Sequence, residues 1–355
     1  MLASFANYWS ATGWHVTVIV ADLLFSHEET GYPKSFFNLD SSITLVQLPV
    51  HEIRNRLPRR IRILIAAGKL RRAILKSKPD VVMGFKTEGA VYALFALTGR
   101  AVPVVAMERT DPRGNPVPRA VAAMRNRLYK RAAAITCHSI RSIDFFTEPM
   151  RKKVVAIPNS VRGTDTYLPP DLKRTSKRKV VLSLGRLNIH QKRVDRLIEA
   201  FASVAPRFPD WELQIWGDGT DRLELENLAQ KLQIESCVKF MGRTENVANA
   251  FMNADLFVMT SDYEGFGLAL AEAMAFGLPV IACDCPVGPS EIIRHEIDGL
   301  LVPLGDDLAL INSMERLMND ESERKRFGDR ATEVVARFSE HEIMKQWRDL
   351  ITRVA

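Results

Sequence analysis

The stretch that decides the fold is Glu264-Gly265-Phe266-Gly267-Leu268-Ala269-Leu270-Ala271-Glu272. It follows Leu256-Phe257-Val258-Met259-Thr260, an apolar and β-prone run that is typical of a buried strand. The order strand, glycine turn, helix directs the first backbone N–H groups of the helix into the turn. A phosphate group is the ligand that such a turn favours. Glu264 lies at the mouth of the turn, and Glu272 lies about one and a half turns into the helix.

The rest of the chain alternates β-prone runs with helical segments, which predicts parallel sheets with crossover helices. The predicted strands are 14–20, 43–48, 80–84, 102–106, 134–137, 153–157, 180–184, 212–216, 238–240, 256–260 and 279–282. A basic, Pro- and Gly-containing segment between Asn159 and Lys179 predicts a linker. We therefore predict an α/β protein with two doubly wound, parallel-sheet domains facing a cleft, 1–160 and 161–338. A C-terminal helix, 339–355, can pack back on the first domain.

The front end departs from the usual order of such a sheet. Residues Leu2 to Ala11 favour a helix, and Gly13 is its stop signal. An α/β sheet of this kind opens with a strand and a glycine-rich turn before that helix. The pattern predicts that the first strand of the N-terminal domain, with its loop, is missing from this chain.

Composition excludes several classes of protein. No apolar run approaches the roughly 18 residues needed to span a bilayer, and no secretory signal is visible at the start. The four cysteines do not have zinc-site spacing, so reduced structural thiols in a cytoplasmic protein are expected. Residues 1–170 hold 25 basic against 12 acidic residues, and 171–355 hold 24 against 30. The basic front part favours an anionic partner, but no nucleic-acid-binding motif accompanies it.

A second group of residues follows the strand at 180–184. Gly185 and Arg186 come directly after it, and Lys192 precedes a helix. A planar guanidinium and a compact ammonium group together can neutralise a diphosphate. The alternative, a solvated basic loop, stays open for this segment alone.

Two further glycine-containing turns follow strands. Gly217 belongs to Trp216-Gly217-Asp218-Gly219, where the missing side chains let a backbone approach a ligand or another loop. Gly242 and Arg243 follow the strand at 238–240 and are candidates to line a base pocket. Tight turns without a ligand explain both segments equally well.

Together these segments are similar to glycosyltransferase family 4, the group 1 retaining glycosyltransferases. The similar segments are Leu184-Gly185-Arg186-Leu187 with Gln191-Lys192 and Leu197 to Phe201, Gly217-Asp218-Gly219, Phe240-Met241-Gly242, and the two glutamates Glu264 and Glu272 with seven residues between them. Ile157-Pro158-Asn159-Ser160 resembles the family's interdomain hinge, with Ser160 in place of glycine. The resemblance covers nearly the whole chain.

The resemblance implies a GT-B fold, with an acceptor-binding first domain and a nucleotide-sugar-binding second domain. It implies retaining transfer of a hexose or N-acetylhexosamine, with UDP as the commonest donor base. The acceptor would be a polysaccharide, a lipid-linked oligosaccharide or a glycolipid. No cofactor or metal is expected, since no Asp-x-Asp sequence occurs.

Carried over residue by residue, the resemblance assigns the donor site. Arg186 and Lys192 would hold the diphosphate, and Glu264 would contact the transferred sugar. The amides of Gly265, Phe266 and Gly267 would face phosphate or sugar, and Glu272 the ribose. Two carboxylates can also act as the acid and nucleophile of a glycosidase, an alternative that the basic residues in the same half disfavour.

The acceptor side is less defined. Relatives carry a histidine after a central strand, where this chain has Glu108-Arg109-Thr110-Asp111-Pro112-Arg113. Glu108, Arg109 and Asp111 are therefore candidates for acceptor or sugar contact, against an Asp-Pro turn that caps the next helix. His138, after the strand at 134–137, is a further candidate, against an ordinary loop histidine.

Residues Arg54 to Lys78 hold ten cations, no acidic residue and interleaved apolar residues. This pattern favours a basic amphipathic helix on an anionic membrane surface, such as the inner face of the plasma membrane. A core-facing helix with a solvated basic face is the alternative. Two further functions stay open: a non-catalytic nucleotide-sugar-binding remnant, because of the missing first strand, and another GT-B enzyme such as an epimerase or a phosphorylase.

Overall fold

The computed structural model describes residues 2–21, 38–48, 59–109, 111, 114, 116–164, 178–244 and 246–355. Most of the predicted linker, residues 165–177, and the start of the basic stretch, residues 54–58, lie outside this described part. Twelve strands occur in it: β1 Thr17–Ala21, β2 Thr44–Leu48, β3 Val82–Phe85, β4 Val104–Met107, β5 Ala134–Cys137, β6 Val154–Ala156, β7 Lys179–Leu184, β8 Trp211–Trp216, β9 Val238–Gly242, β10 Leu256–Met259, β11 Val280–Cys283 and β12 Leu300–Val302.

Helices occupy most of the intervals between these strands. The α-helices of the described part are α1 Leu2–Ala11, α2 Arg59–Lys76, α3 Lys86–Ala96, α4 Arg119–Leu128, α5 Glu148–Arg151, α6 Ile189–Lys192, α7 Val194–Val204, α8 Arg222–Lys231, α9 Val247–Met252, α10 Leu268–Ala275, α11 Pro289–Ile292, α12 Asp307–Asn319, α13 Glu321–Ala331, α14 Val334–Arg337 and α15 Glu340–Val354. No helix of the described part is long and apolar enough to cross a lipid bilayer.

The described strands form three sheets. β1 and β2 make a parallel pair, and β3 to β6 form a four-stranded sheet in chain order. The remaining six strands form one sheet in the order β12-β11-β10-β7-β8-β9. In that sheet β7 pairs in parallel with β8 on one side and with β10 on the other. The carboxyl ends of β7, β8 and β10 therefore lie side by side.

The six-stranded sheet is covered by helices on both faces. Along β10, Leu256 and Val258 pack into one apolar cluster with α7, α8 and α12, whereas Phe257 and Met259 pack into another with α9 and α10. All four side chains are buried. A strand that is buried on both faces reads as a continuous apolar run without alternation, as this one does. Helices on both faces make this sheet doubly wound, as the sequence predicts.

The chain divides into two compact units. The first comprises Met1–Met107, Pro118–Ile135 and Val354–Ala355, and the second comprises Glu108–Val117 and Thr136–Arg353. The division at residues 160 and 338 that the sequence favours stays a prediction. In the second unit, α15 buries Ile343, Trp347 and Leu350.

Candidate functional site

The glycine turn lies where the sequence predicts it, between β10 and α10. Gly267 has a φ of 93°, which favours glycine, and precedes the first residue of α10. Gly267 is the N-cap residue of α10 and makes no side-chain capping hydrogen bond. Phe266 is buried, and its ring meets the edge of Phe338 with a centroid distance of 5.3 Å. The turn is therefore anchored by an aromatic contact, while the N-cap residue at the positive end of α10 has no side chain.

Glu264 and Lys192 are brought together from separate loops. Lys192 Nζ lies 2.6 Å from Glu264 Oε1, and Ser261 Oγ donates to the same oxygen at 2.7 Å. The side chain of Glu264 is 8% exposed, and that of Lys192 is 21% exposed. A charge-assisted contact of this length in a partly buried setting fixes both groups. The sequence placed both residues at the site, but it did not predict that they contact one another.

Gly185 and Arg186 complete the basic side of the site. Gly185 follows β7, and a Cβ added there would lie 3.4 Å from Lys192 Cε. The aliphatic part of Lys192 therefore passes close to the backbone at Gly185. Arg186 is exposed. A small pocket opens here, and Gly185, Arg186 and Lys192 are among its lining residues.

The loops after β7 and β8 are joined by hydrogen bonds between their backbones. Gly185 N donates to Trp216 O at 3.0 Å, and Leu187 N donates to Asp218 O at 3.0 Å. Gly217 N in turn donates to Gly242 O at 2.8 Å, which adds the end of β9. The three strand ends thus form one connected rim.

The remaining donor-site candidates differ in exposure. The Arg243 side chain is 84% exposed, and its Nε lies 3.7 Å from Asp218 Oδ2. Glu272 is half-buried near the middle of α10. The structure thus places Arg243 on the rim and Glu272 on the helix that follows the glycine turn.

The acceptor-side candidates Glu108, Arg109, Asp111 and His138 are all buried. Arg109 donates to Asn159 Oδ1 at 2.8 Å, and burial lowers the pKa of Arg109 to about 9. Asp111 does not cap the next helix, because Pro118 is the residue before α4. Thr110, Pro112 and Arg113 lie outside the described residues.

His138 is almost completely buried. Burial, and then the nearby charge of Arg109, hold the pKa of His138 well below its usual value. The imidazole is therefore neutral at pH 7. Its Nδ1 has no hydrogen-bond partner among the described residues, and its ring centroid lies 6.3 Å from that of Phe266. The structure thus brings one acceptor-side candidate next to the glycine turn.

Several polar residues of the site were missed from the sequence. Thr260 and Asp262 follow β10 and contact Lys192 and Arg193, whereas Ser261 between them donates to Glu264. Ser139 Oγ donates to Glu291 Oε1 in a short contact. The position of Thr260 and Asp262 just beyond a strand end was the available signal, but their partners lie about 70 residues away in the chain.

Two family models together match nearly all of the chain. The model described as "Glycosyltransferase Family 4" matches residues 1–162, and the model described as "Glycosyl transferases group 1" matches residues 167–334. The first match ends at residue 162 and the second begins at residue 167.

Two curated relatives illustrate the similarity. An exopolysaccharide phosphotransferase of Streptomyces coelicolor is 37% identical over 203 residues, which cover 57% of this chain and 21% of that protein. The second relative is a Campylobacter jejuni α-1,4-N-acetyl-D-galactosaminyltransferase, which is named for a diphospho-undecaprenol-linked acceptor. It is 27% identical over 332 residues, which cover 90% of this chain and 88% of that protein. The chain spans only about half the length of two further relatives that it matches.

A solved structure supports the fold. The structure of Anabaena HepE in complex with UDP and glucose superposes with a TM-score of 0.74 at 19% identity, over 88% of this chain and 86% of that chain. Together with the two family models, this likeness confirms the predicted GT-B fold.

Proposed function

The chain belongs to glycosyltransferase family 4, the group 1 glycosyltransferases, and we propose that it transfers a sugar from a nucleotide-sugar donor to a glycan or lipid-linked acceptor. One observation carries this proposal: Lys192 and Glu264 meet at 2.6 Å beside a glycine turn that opens α10. Lys192 supplies a positive charge for a diphosphate, and Glu264 supplies a carboxylate for a sugar hydroxyl. Both residues lie in the same unit. The names of the relatives support the acceptor classes.

The proposed chemistry follows from the leaving group. When the bond between the anomeric carbon and the phosphate oxygen breaks, the electron pair goes to the nucleoside diphosphate. Arg186, Lys192 and the amides of the glycine turn stabilise the growing negative charge. We propose that these fixed charges act without a divalent metal or other cofactor. Glu264 orients the transferred sugar and Glu272 binds the ribose, in keeping with the roles that the family resemblance implies.

We propose UDP as the donor nucleotide and retention at the anomeric carbon. The structural likeness to a protein solved with UDP and glucose supports UDP. The base would lie at the rim formed by Gly217, Gly242 and Arg243, which follow the ends of β8 and β9. The transferred sugar is a hexose or an N-acetylhexosamine, which the relatives' names support.

A thermal-shift panel tests the proposal. UDP, GDP, UDP-glucose, UDP-N-acetylglucosamine and GDP-mannose are compared at equal concentrations. A uridine nucleotide at a hundredfold excess over its dissociation constant is expected to stabilise the protein by about 2.7 kcal/mol, because it binds the folded state alone. No shift with any nucleotide would contradict the proposal.

Turnover of the stabilising donor separates an enzyme from a non-catalytic remnant. Release of free UDP, with the sugar product in the donor's α configuration by NMR, is the expected outcome. A donor that binds and is never consumed, with lipid-linked and oligosaccharide acceptors supplied, would favour the remnant. An inverted product would contradict retention alone.

We also propose that α2 binds the anionic inner face of the plasma membrane, which places the protein in the cytoplasm. Ile61 and Leu64 on α2 are 43% and 62% exposed, whereas Ala66, Ala67 and Ile74 face inward. The exposed face also carries Arg72 and Lys76. Apolar residues followed by cations on one exposed face suit an anionic lipid surface. A cytoplasmic place also suits the four free cysteines.

Vesicle flotation tests the membrane proposal. The protein is expected to float with vesicles rich in phosphatidylglycerol at low salt and to stay behind with phosphatidylcholine vesicles. Leu64→Glu should abolish flotation, because it places a negative charge against an anionic surface. Leu308→Glu is the matched control, since Leu308 is 67% exposed in the second unit. Flotation that is absent for the native protein, or equal for both variants, would contradict the proposal.

A further inference from the structure

We propose that Asp262 is a positioning residue for the donor site: its carboxylate, shared by two arginines, holds the backbone around Lys192 so that the amine meets Glu264. This inference rests on the proposed function for what Lys192 binds, but not for how Lys192 is held. Asp262 is outside the signature residues that the sequence singles out. It lies two residues before Glu264, and its carboxylate accepts from Arg193, the residue after Lys192.

The backbone next to Lys192 adopts an unusual conformation. Arg193 has φ 49° and ψ 42°, the left-handed region that non-glycine residues rarely adopt. This residue lies between α6, which ends at Lys192, and α7, which begins at Val194, so the helical path is interrupted directly after Lys192. Residues held in such a conformation persist where surrounding contacts determine it. The contacts of the Arg193 side chain therefore bear directly on how the neighbouring Lys192 is held.

The side chain of Arg193 is held by two acids. Its Nε and Nη2 donate to Asp195, at 3.0 Å for Nη2 to Oδ2, and its Nη1 donates to Asp262 Oδ2 at 3.1 Å. These hydrogen bonds, led by those to Asp195, raise the pKa of Arg193 above its usual value. The pair with Asp195 is local to the start of α7. In the described structure, the bond to Asp262 is the one that ties the side chain of this arginine to the loop that carries Glu264.

Asp262 is bound at three points to the segment around Lys192. Arg196 Nη1 donates to Asp262 Oδ1 at 3.0 Å, so the two carboxylate oxygens serve two arginines. The backbone N of Asp262 donates to Gln191 O at 2.9 Å. The residues immediately before and after Lys192 are thus both fixed to Asp262. A backbone held on both sides of one residue leaves only that residue's side chain to be ordered.

Thr260 adds a second tie from the same loop. Its Oγ1 lies 3.0 Å from Lys192 O and 2.8 Å from Arg193 O, and the residue is buried. A hydroxyl has one proton to donate, so these two carbonyls share it. The carbonyls on both sides of the left-handed residue therefore point at Thr260. Asp262 and Thr260 act on the same short segment from one strand end.

These ties explain how a long side chain reaches one position. Lysine has four rotatable bonds and loses much conformational freedom when its amine is fixed. Fixing the backbone beside Gly185 narrows the paths that the chain can take to Glu264, 2.6 Å away. Pre-organisation of this kind strengthens binding by lowering the ordering cost at the moment of contact. Loosening Asp262 should therefore weaken a phosphate contact of Lys192 that Asp262 itself never makes.

The test compares Asp262→Asn with Glu323→Gln. Glu323 is a matched control, because its carboxylate is also shared by two arginines, Arg316 and Arg326, on helices α12 and α13. Each variant keeps the shape of the side chain and removes one charge. Two measurements are made on the full chain: UDP affinity by calorimetry, and the rate at which an amine-reactive acylating reagent labels Lys192, followed by peptide mass spectrometry without nucleotide.

Asp262→Asn is expected to weaken UDP binding about fivefold, the scale of coupling within a charged network. It should also speed labelling of Lys192 severalfold, because the amine spends more time away from Glu264. Glu323→Gln should change neither quantity. Unchanged labelling of Lys192 in Asp262→Asn would overturn the inference. Failure of the native protein to bind any nucleotide would overturn the proposed function instead, and the labelling comparison would still decide the role of Asp262.

Thr260→Val keeps the test decisive if Asp262→Asn does not fold. This replacement has nearly the same shape and removes only the hydroxyl shared by the two carbonyls. Faster labelling of Lys192 with an unchanged circular dichroism spectrum supports the inference. Labelling at the native rate contradicts it.

Discussion

Lys192→Ala is expected to weaken donor binding or turnover by about tenfold or more. The replacement removes the amine that we propose for the diphosphate, and a single charge-assisted contact has this scale. It also leaves Glu264 with Ser261 as its remaining side-chain donor in the described structure. A carboxylate that is only 8% exposed then repels the incoming phosphate instead of being neutralised. Both effects act in the same direction, so the loss should exceed that of a surface lysine.

The measurement is the dissociation constant for UDP and, where turnover is found, kcat/KM for the donor. Lys239→Ala is the matched control, because Lys239 Nζ lies 2.7 Å from Glu212, another buried carboxylate, which keeps a donor in Gln214. Both replacements should lower the free energy of unfolding by about 1–2 kcal/mol, because each removes one hydrogen-bond donor from a buried carboxylate. Only Lys192→Ala should lose donor affinity. Equal donor affinity in the two variants would remove Lys192 from the site.

The strand, turn and helix around Gly265 were predictable because their signals are local. Four apolar residues in succession predict a strand that is buried on both faces, and β10 is that strand. The prediction ended the strand one residue too late, at Thr260, because the hydroxyl of this β-branched residue binds carbonyls of another loop. β12 was missed because it has only three residues and Pro303 follows it. Local patterns fix the element type and leave its ends to tertiary contacts.

The pairing of Lys192 with Glu264 was not predictable in the same way. The two residues are joined by the order of strands in the sheet, which places β7 beside β10. The sequence predicts that both strands exist, and nothing local states that they are neighbours. The left-handed Arg193 carried no glycine or asparagine signal either. Charged residues that act on a site from a neighbouring loop are therefore found from the three-dimensional structure and not from the sequence.

Gly217→Ala is expected to lower the free energy of unfolding by about 3 kcal/mol, the largest loss of stability of any single replacement at the site. A Cβ at this position would lie 1.8 Å from Gly185 O, and Gly217 has a φ of 130°. The clash is with backbone, so no rotation of a side chain can relieve it. The loop after β7 must move, and that loop carries Arg186 and leads to Lys192. Loss of stability and loss of UDP binding should therefore occur together, in contrast to Lys239→Ala.

Gly99→Ala separates the clash from the backbone conformation. Gly99 also has a positive φ, 76°, but an added Cβ would meet no atom of the described residues within 4 Å. Its replacement should lower the free energy of unfolding by only about 1 kcal/mol, because alanine disfavours the left-handed conformation. UDP binding should be unchanged. Midpoints of urea unfolding and UDP titrations on both variants make the comparison. A Gly217→Ala protein as stable as Gly99→Ala would mean that the loops after β7 and β8 can part without cost. The diphosphate site would then not depend on their close approach, and its rigidity would have to come from the ties between Lys192 and the loop after β10 alone.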